Sequence, residues 1–127
     1  MLIYNIGKYL RPAVLSIMQQ TLTDWEPYII DDGSTDNALS YIADVQDSRI
    51  IIIKDGQNKG LAARLNEVIN LAKGRYFALM DQGDFSYPDR LSKQVDALEE
   101  SLDLDLLSTR AIKISMEDEP VGYLPSS

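Results

Sequence analysis

The apolar run Tyr76-Phe-Ala-Leu-Met80 closes on Asp81-Gln-Gly-Asp84 and leads into Phe85-Ser-Tyr-Pro-Asp-Arg-Leu91. A continuous apolar run of strand formers between turn residues suits a central strand of a parallel sheet, which is buried on both faces. Asp81 and Asp84 then stand just past the carboxyl end of that strand, the edge where open α/β sheets bind ligands. Pro88 suits the first turn of a following helix. Two neighbouring carboxylates repel unless a cation or a shared proton relieves them. A hard divalent ion is the natural cation for carboxylate oxygens.

The same pattern recurs upstream. Met1-Leu-Ile-Tyr4 reads as the tail of a strand. It is shorter than the usual strand of roughly five or six residues, so the chain is expected to be truncated at this end. Asn5-Ile-Gly7 makes a turn, and a helix is predicted from about Lys8 to Gln20, with Leu10, Val14, Ile17 and Met18 on one face and Pro12 in its first turn. A second strand, Tyr28-Ile-Ile30, ends in Asp31-Asp-Gly-Ser-Thr-Asp36, a turn and N-cap signal for a helix over 37–45. A third strand, Ile50 to Ile53, precedes the loop Asp55-Gly-Gln-Asn-Lys-Gly60 and a helix over 61–73 that Gly74 would stop. A helix over 88–101 follows the Asp81–Asp84 turn, with strands expected at 104–107 and 111–116 and an acidic turn at Glu117–Pro120. Alternating strands and helices predict an α/β fold, a parallel sheet with right-handed crossovers, in a single domain over 1–127.

Composition narrows the chemistry. The chain has 127 residues and a net charge of −8, which argues against a nucleic-acid partner held by a broad basic surface. It has no cysteine and no histidine, which removes disulfides, thiolate chemistry, His-ligated zinc and the Ser-His-Asp triad. Acid and base work would fall to Asp, Glu, Lys or Tyr. No stretch approaches the ~20 apolar residues of a transmembrane helix, and no basic leader precedes an apolar segment. A cytoplasmic location is the expectation.

Three loops after successive strands should share one sheet edge. They carry Asp31, Asp32 and Ser34; then Asn58, Lys59 and Gly60; then Asp81, Gly83 and Asp84. Each taken alone is ordinary turn and cap chemistry. Together they suggest one acidic pocket for a base, a ribose and a diphosphate. Arg64 and Lys73 read as surface helix residues and Lys59 as a solvated loop charge. Tyr4, Tyr9 and Tyr87 could stack on a base or simply rim the core.

On Tyr4-Asn5, Ile30-Asp-Asp-Gly-Ser-Thr-Asp36, Asn58-Lys-Gly-Leu-Ala62, Asn66, Ala72-Lys-Gly74, Met80-Asp81 and Pro88-Asp-Arg-Leu91 with Lys93-Gln94, the chain resembles the nucleotide-sugar glycosyltransferases of family 2. The resemblance covers nearly the whole chain. It implies the GT-A fold, a Rossmann-like three-layer α/β/α sandwich, present here as the donor-binding half. It implies transfer of a sugar, with inversion, from a nucleotide-diphosphate donor such as a UDP-sugar to the hydroxyl of a saccharide or lipid-linked acceptor. Synthesis of cell-surface polysaccharide or glycoconjugate is the implied setting, with peripheral association at the inner face of the membrane. By resemblance, Tyr4, Asn5, Asp31, Asp32, Ser34, Asn58, Gly60 and Asp81 contact the donor. Asp81 is the first acid of the family's Asp-x-Asp motif, which holds Mn²⁺ or Mg²⁺ on the diphosphate.

Two departures stand out. Many relatives carry an acid where this chain has Gly83, which leaves Asp84 as the second candidate metal ligand. The half that would bind the acceptor and supply the catalytic base is expected beyond the chain, so the base is assigned to no residue here. A catalytically inactive nucleotide-binding or scaffolding homologue is the alternative. A phosphoacceptor receiver domain fits less well, because the acid pair follows the second strand and not the first. A dinucleotide-binding domain lacks its Gly-x-Gly-x-x-Gly after the first strand.

Overall fold

A computed structural model describes residues 1–101, 103–107, 111–114 and 120–124. They form two compact units, Met1–Ser92 and Lys93–Ser127. The first unit holds β1 (Leu2–Ile3), a 3-10 turn (Gly7–Tyr9), α1 (Leu10–Met18), β2 (Tyr28–Asp31), a second 3-10 turn (Ala38–Ile42), β3 (Ile51–Lys54) and α2 (Leu61–Leu71). Helix α3 (Arg90–Glu100) starts at its end. The second unit contains the hairpin of β4 (Ala111–Ile114) and β5 (Pro120–Leu124), antiparallel and irregular in register between Lys113 and Ile114.

The α/β architecture expected from the alternation is present in the first unit. Its three strands are parallel in the order β1-β2-β3, with Leu2 opposite Ile30 and Ile30 opposite Ile53. One face of this sheet is closed by α1 and the Ala38–Ile42 turn. Ile3, Leu10, Val14, Ile29, Ala38 and Ile42 form the core there, each no more than 4% exposed. Strand side chains alternate between faces, so Ile30, buried outside that cluster, looks the other way. After β3 the chain crosses back to the far side of β1, where Leu2 pairs in parallel with Asp81. Helix α2 lies within that crossover.

Four sequence expectations change. The run 76–80 is not a buried central strand: its ladder is the single Leu2–Asp81 bridge, and Phe77 and Leu79 are 47% and 46% exposed. The neighbouring strand β1 is two residues long. The segment 37–45 is a short 3-10 turn, not an α-helix; Ser40 Oγ donates to the Asn37 carbonyl at 2.6 Å, a local bond of the kind that competes with helix extension. Helix α2 ends at Leu71 with Ala72 already extended, so Gly74 is not its stop. Residues 104–107 form no strand, and Leu106 is 88% exposed. The acidic turn at 117–119 lies outside the described residues.

Candidate functional site

The chain runs β1, β2, β3 in one direction across the sheet and then returns to the opposite side of β1. The reversal lies between β1 and Asp81, and the crevice at such a switch point is where open α/β sheets bind ligands. A cleft of about 220 Å³ opens there, lined by Leu2, Tyr4, Leu61, Leu79, Met80, Asp81 and Gln82.

Four loops meet at this edge and are laced together in strand order. Asn5, after β1, has the left-handed φ of 50°, which Asn tolerates better than most residues. Its Oδ1 accepts from the backbone N–H of Thr35 at 2.8 Å and of Asp36 at 3.3 Å, while its own N–H donates to Ser34 Oγ at 3.1 Å. Asp36 Oδ2 accepts from the Gly7 N–H at 2.8 Å. Asp31 is buried, and its Oδ1 accepts from the Ser34 N–H at 2.8 Å, a side-chain bond to the backbone three residues on that shapes the loop after β2. On the other side of β1, the Tyr4 N–H donates to Gln82 Oε1 at 2.8 Å.

Asp32 joins the loops after β2 and β3. Its Oδ1 accepts from the Lys59 N–H at 2.8 Å and from Arg64 Nε at 2.9 Å, and its Oδ2 accepts from the Gly60 N–H at 3.0 Å. Asn58 Nδ2 donates to the Asp32 carbonyl at 3.0 Å. Burial alone would raise the Asp32 carboxyl, but these donors and the Arg64 charge outweigh it and hold it below its ordinary value. Gly33 fits where no side chain could: at φ 77° its Cβ would lie 3.0 Å from Asn58 N.

Arg64 corrects the surface reading. Its side chain is 1% exposed and ion-paired with Asp32, Asp55 and Glu67. Those carboxylates raise its already high pKa. A signal was present in the chain: Arg64 lies four residues before Val68, on the buried stripe of α2. Lys59 is likewise no free loop charge, since its Nζ reaches Glu67 at 2.8 Å and Asp55 at 3.5 Å.

Asp81, Gln82, Gly83 and Asp84 form a β-turn closed by the Asp84 N–H on the Asp81 carbonyl at 3.3 Å. Gly83, at φ 80°, takes the position of the turn that favours glycine. An acid there would be strained. Asp84 is pushed up from its ordinary value, first by partial burial and then by the negative charge of Asp81, while Arg90 opposes both. Among the described residues no group of three or more acidic side chains is gathered into a metal cage. The turn is braced from behind. Gln20, 5% exposed, donates to the Tyr87 carbonyl at 2.7 Å and accepts from the Leu91 N–H at 3.0 Å. Ser16 Oγ accepts from the Ser86 N–H at 3.1 Å.

The structure therefore brings Tyr4, Asn5, Asp31, Asp32, Ser34, Asn58, Gly60 and Asp81 to one edge, with Asp84 beside Asp81. It divides them by role: Tyr4 and Asp81 line the cleft, whereas Asn5, Asp32 and Ser34 hold loops. Of the other tyrosines, Tyr9 and Tyr87 are 44% and 70% exposed and neither lines the cleft. Sequence reasoning missed Gln82, which sits between the two acids, and Arg64.

The family model described as Glycosyl transferase family 2 matches residues 1–122. The putative glycosyltransferase EpsE of Bacillus subtilis is 40% identical over 111 residues, covering 84% of this chain and 40% of EpsE. An uncharacterised glycosyltransferase of Methanocaldococcus jannaschii is 39% identical over 103 residues, covering 79% of this chain and 36% of that protein. WfaP of Escherichia coli, a UDP-Glc:alpha-D-GlcNAc-diphosphoundecaprenol beta-1,3-glucosyltransferase, is 38% identical over 96 residues, covering 76% and 38%. The chain thus spans well under half the length of these curated relatives. No helix among the described residues is long and apolar enough to cross a membrane.

Proposed function

We propose that this chain, which belongs to glycosyl transferase family 2, binds the nucleotide-diphosphate sugar donor of an inverting glycosyltransferase. The observation that carries the reading is the laced edge: four loops tied in strand order beside a cleft at the switch point, with Asp81 in its lining and Asp84 in the same turn. The donor is a UDP-sugar and the acceptor a saccharide or lipid-linked hydroxyl, as the name of the relative WfaP suggests for that protein. The setting is polysaccharide or glycoconjugate assembly, at the cytoplasmic face of a membrane.

In this reading Tyr4 and the loops bearing Asp31, Asn58 and Gly60 receive the nucleoside, while Asn5, Asp32 and Ser34 keep those loops in place. Asp81 and Asp84 face the diphosphate. Their donor set fits a divalent ion, Mn²⁺ or Mg²⁺: both are hard carboxylate oxygens, and Asp84 already feels the Asp81 charge that a cation would relieve. Two carboxylates suffice when substrate phosphates complete the shell. Such an ion, when bound, neutralises charge on the departing diphosphate. In the transfer, the acceptor oxygen forms its bond to the anomeric carbon as the bond to the diphosphate oxygen breaks. The hydroxyl proton passes to a base that no residue of this chain is assigned to supply.

A second reading, a catalytically silent nucleotide-binding homologue, draws support from Gly83, whose φ of 80° disfavours the usual acid. Both readings require nucleotide binding, and only the first requires that bound UDP-sugar be turned over. The test is a melting series with UDP, GDP, ADP and CMP in Mn²⁺, because a ligand of the folded state raises Tm by mass action. A rise specific to UDP supports the donor site; no rise with any nucleotide contradicts it. Release of UDP from a UDP-sugar by the full-length protein, and its absence, separate the active reading from the silent one.

A further inference from the structure

Arg64 presents five N–H donors, and the structure gives all five an acceptor. Nε meets Asp32 Oδ1 at 2.9 Å; one terminal nitrogen meets Asp55 Oδ2 at 3.0 Å and Glu67 Oε2 at 3.2 Å; the other meets Asp55 Oδ1 at 2.7 Å and the Gln57 carbonyl at 2.6 Å. These acceptors include the start and the middle of the Asp55–Gly60 loop. The end of the loop is reached through Asp32, whose carboxylate takes the amides of Lys59 and Gly60. The loop is wrapped around the guanidinium, and Lys59 Nζ closes the outside on Glu67 and Asp55.

Stability alone is a poor reason for this arrangement. Burying an ion pair carries a desolvation penalty, and apolar residues of similar volume often stabilise as well or better. What a planar, fully satisfied guanidinium provides is geometry, since its donors are fixed in one fork. We propose that Arg64 is a positioning residue of the nucleotide pocket, shaping the Asp55–Gly60 loop through Asp32 before any nucleotide arrives. This rests on the donor-site reading of the same edge. Arg64, 1% exposed, does not line the cleft and acts only through the groups it holds. A loop organised in advance spares the bound state the ordering that would otherwise weaken binding.

The discriminating variant is Arg64→Lys. It keeps the charge that Asp32 needs but has three donors in place of five and no fork. Two quantities are measured: the Kd for UDP with and without Mn²⁺, and the hydrogen-exchange rates of the Lys59 and Gly60 amides. The expected result is a folded protein whose UDP affinity drops about tenfold to a hundredfold, the worth of a charge-assisted hydrogen bond. Its Lys59 and Gly60 amides exchange faster, and the ratio of the two Kd values stays as in the unmodified chain. Asp81→Ala should do the opposite, collapsing that ratio while leaving the two amides protected. If Arg64→Lys folds and binds UDP as tightly as the unmodified chain, or keeps both amides equally protected, the proposal is overturned.

Should Arg64→Lys not fold, Arg64→Gln, which leaves the Asp32 carboxylate on the two amides, takes its place and the same two readings apply to it. Should the unmodified chain bind no nucleotide, the donor-site reading is what fails. The exchange rates then decide whether Arg64 shapes the loop: faster exchange in the variant supports it and unchanged exchange overturns it.

Discussion

Asn5 Oδ1 accepts the Thr35 N–H at 2.8 Å, so the loop after β1 is held by the loop after β2 through one amide side chain. The same oxygen reaches the Asp36 N–H and Thr35 Oγ1, both at 3.3 Å. A residue that resemblance assigns to the donor is thus already committed to the protein. Asn5→Ala should lower unfolding free energy by about 1–2 kcal/mol in a urea titration, from the lost acceptor and from a β-carbon held at positive φ without local bonding. Asn5→Asp keeps the acceptor and should lose less. Equal stability of all three proteins would show that the clamp is idle.

Gly33 and Gly56 separate strain from crowding. Both have positive φ, 77° and 75°, but a Cβ at Gly33 meets Asn58 N and Gln57 C at 3.0 Å, whereas one at Gly56 meets nothing within 4 Å. Gly33→Ala should therefore be the more destabilising change. Gly56→Ala should lose only about 1 kcal/mol, the strain term. Thermal denaturation of the two variants side by side reads the difference.

Asp47 should titrate unusually low. Its carboxylate takes Arg49 Nε at 3.0 Å, a terminal nitrogen of the same guanidinium at 2.6 Å and the Arg49 N–H at 3.0 Å. The side-chain bonds to Arg49, then its backbone N–H, hold Asp47 down at about 2. The sign follows from the depressed folded value. The contribution to stability is complete above the ordinary 3.8 and is lost as pH falls from there through about 2. Carboxyl NMR should show Asp47 near that value and Arg49→Gln should return it toward 3.8. An Asp47 resonance that titrates at its ordinary pH in the unmodified chain would refute the pairing.

Gln20 should matter to the acid turn without touching it. Its side chain grips Ser16, Tyr87 and Leu91, and so fixes the segment that follows Asp84. Gln20→Ala removes the partner of part-buried backbone groups of Ser16, Tyr87 and Leu91, at roughly 1 kcal/mol. It should also blunt the response of UDP binding to Mn²⁺, since Asp84 is no longer held beside Asp81. Unchanged metal response at reduced stability would confine Gln20 to a packing role.

Much of the frame was legible in the chain. The isoleucine runs around Ile29 and Ile52 gave β2 and β3, because short apolar runs between turn signals have few other uses. The common edge of the loops followed from the alternation alone. The run 76–80 was misread because composition reports what a segment is suited to pair with, not whether it pairs; its one ladder contact is the Leu2–Asp81 bridge. Arg64 was misread because a charged residue on a helix is normally solvated, and its partners Asp32 and Asp55 lie 32 and 9 residues away. Asn5 and Asp32 are assigned to the donor by resemblance, and the structure shows their side chains bonded to loop amides. Only geometry separates the two uses.

We propose a metal-assisted nucleotide site at the β1 switch point. Calorimetric titration of the chain with UDP, with and without Mn²⁺, beside Asp81→Ala, tests it most directly. UDP binding should tighten with Mn²⁺ and lose that response in the variant. Binding that ignores both Mn²⁺ and Asp81, or no binding at all, would contradict it.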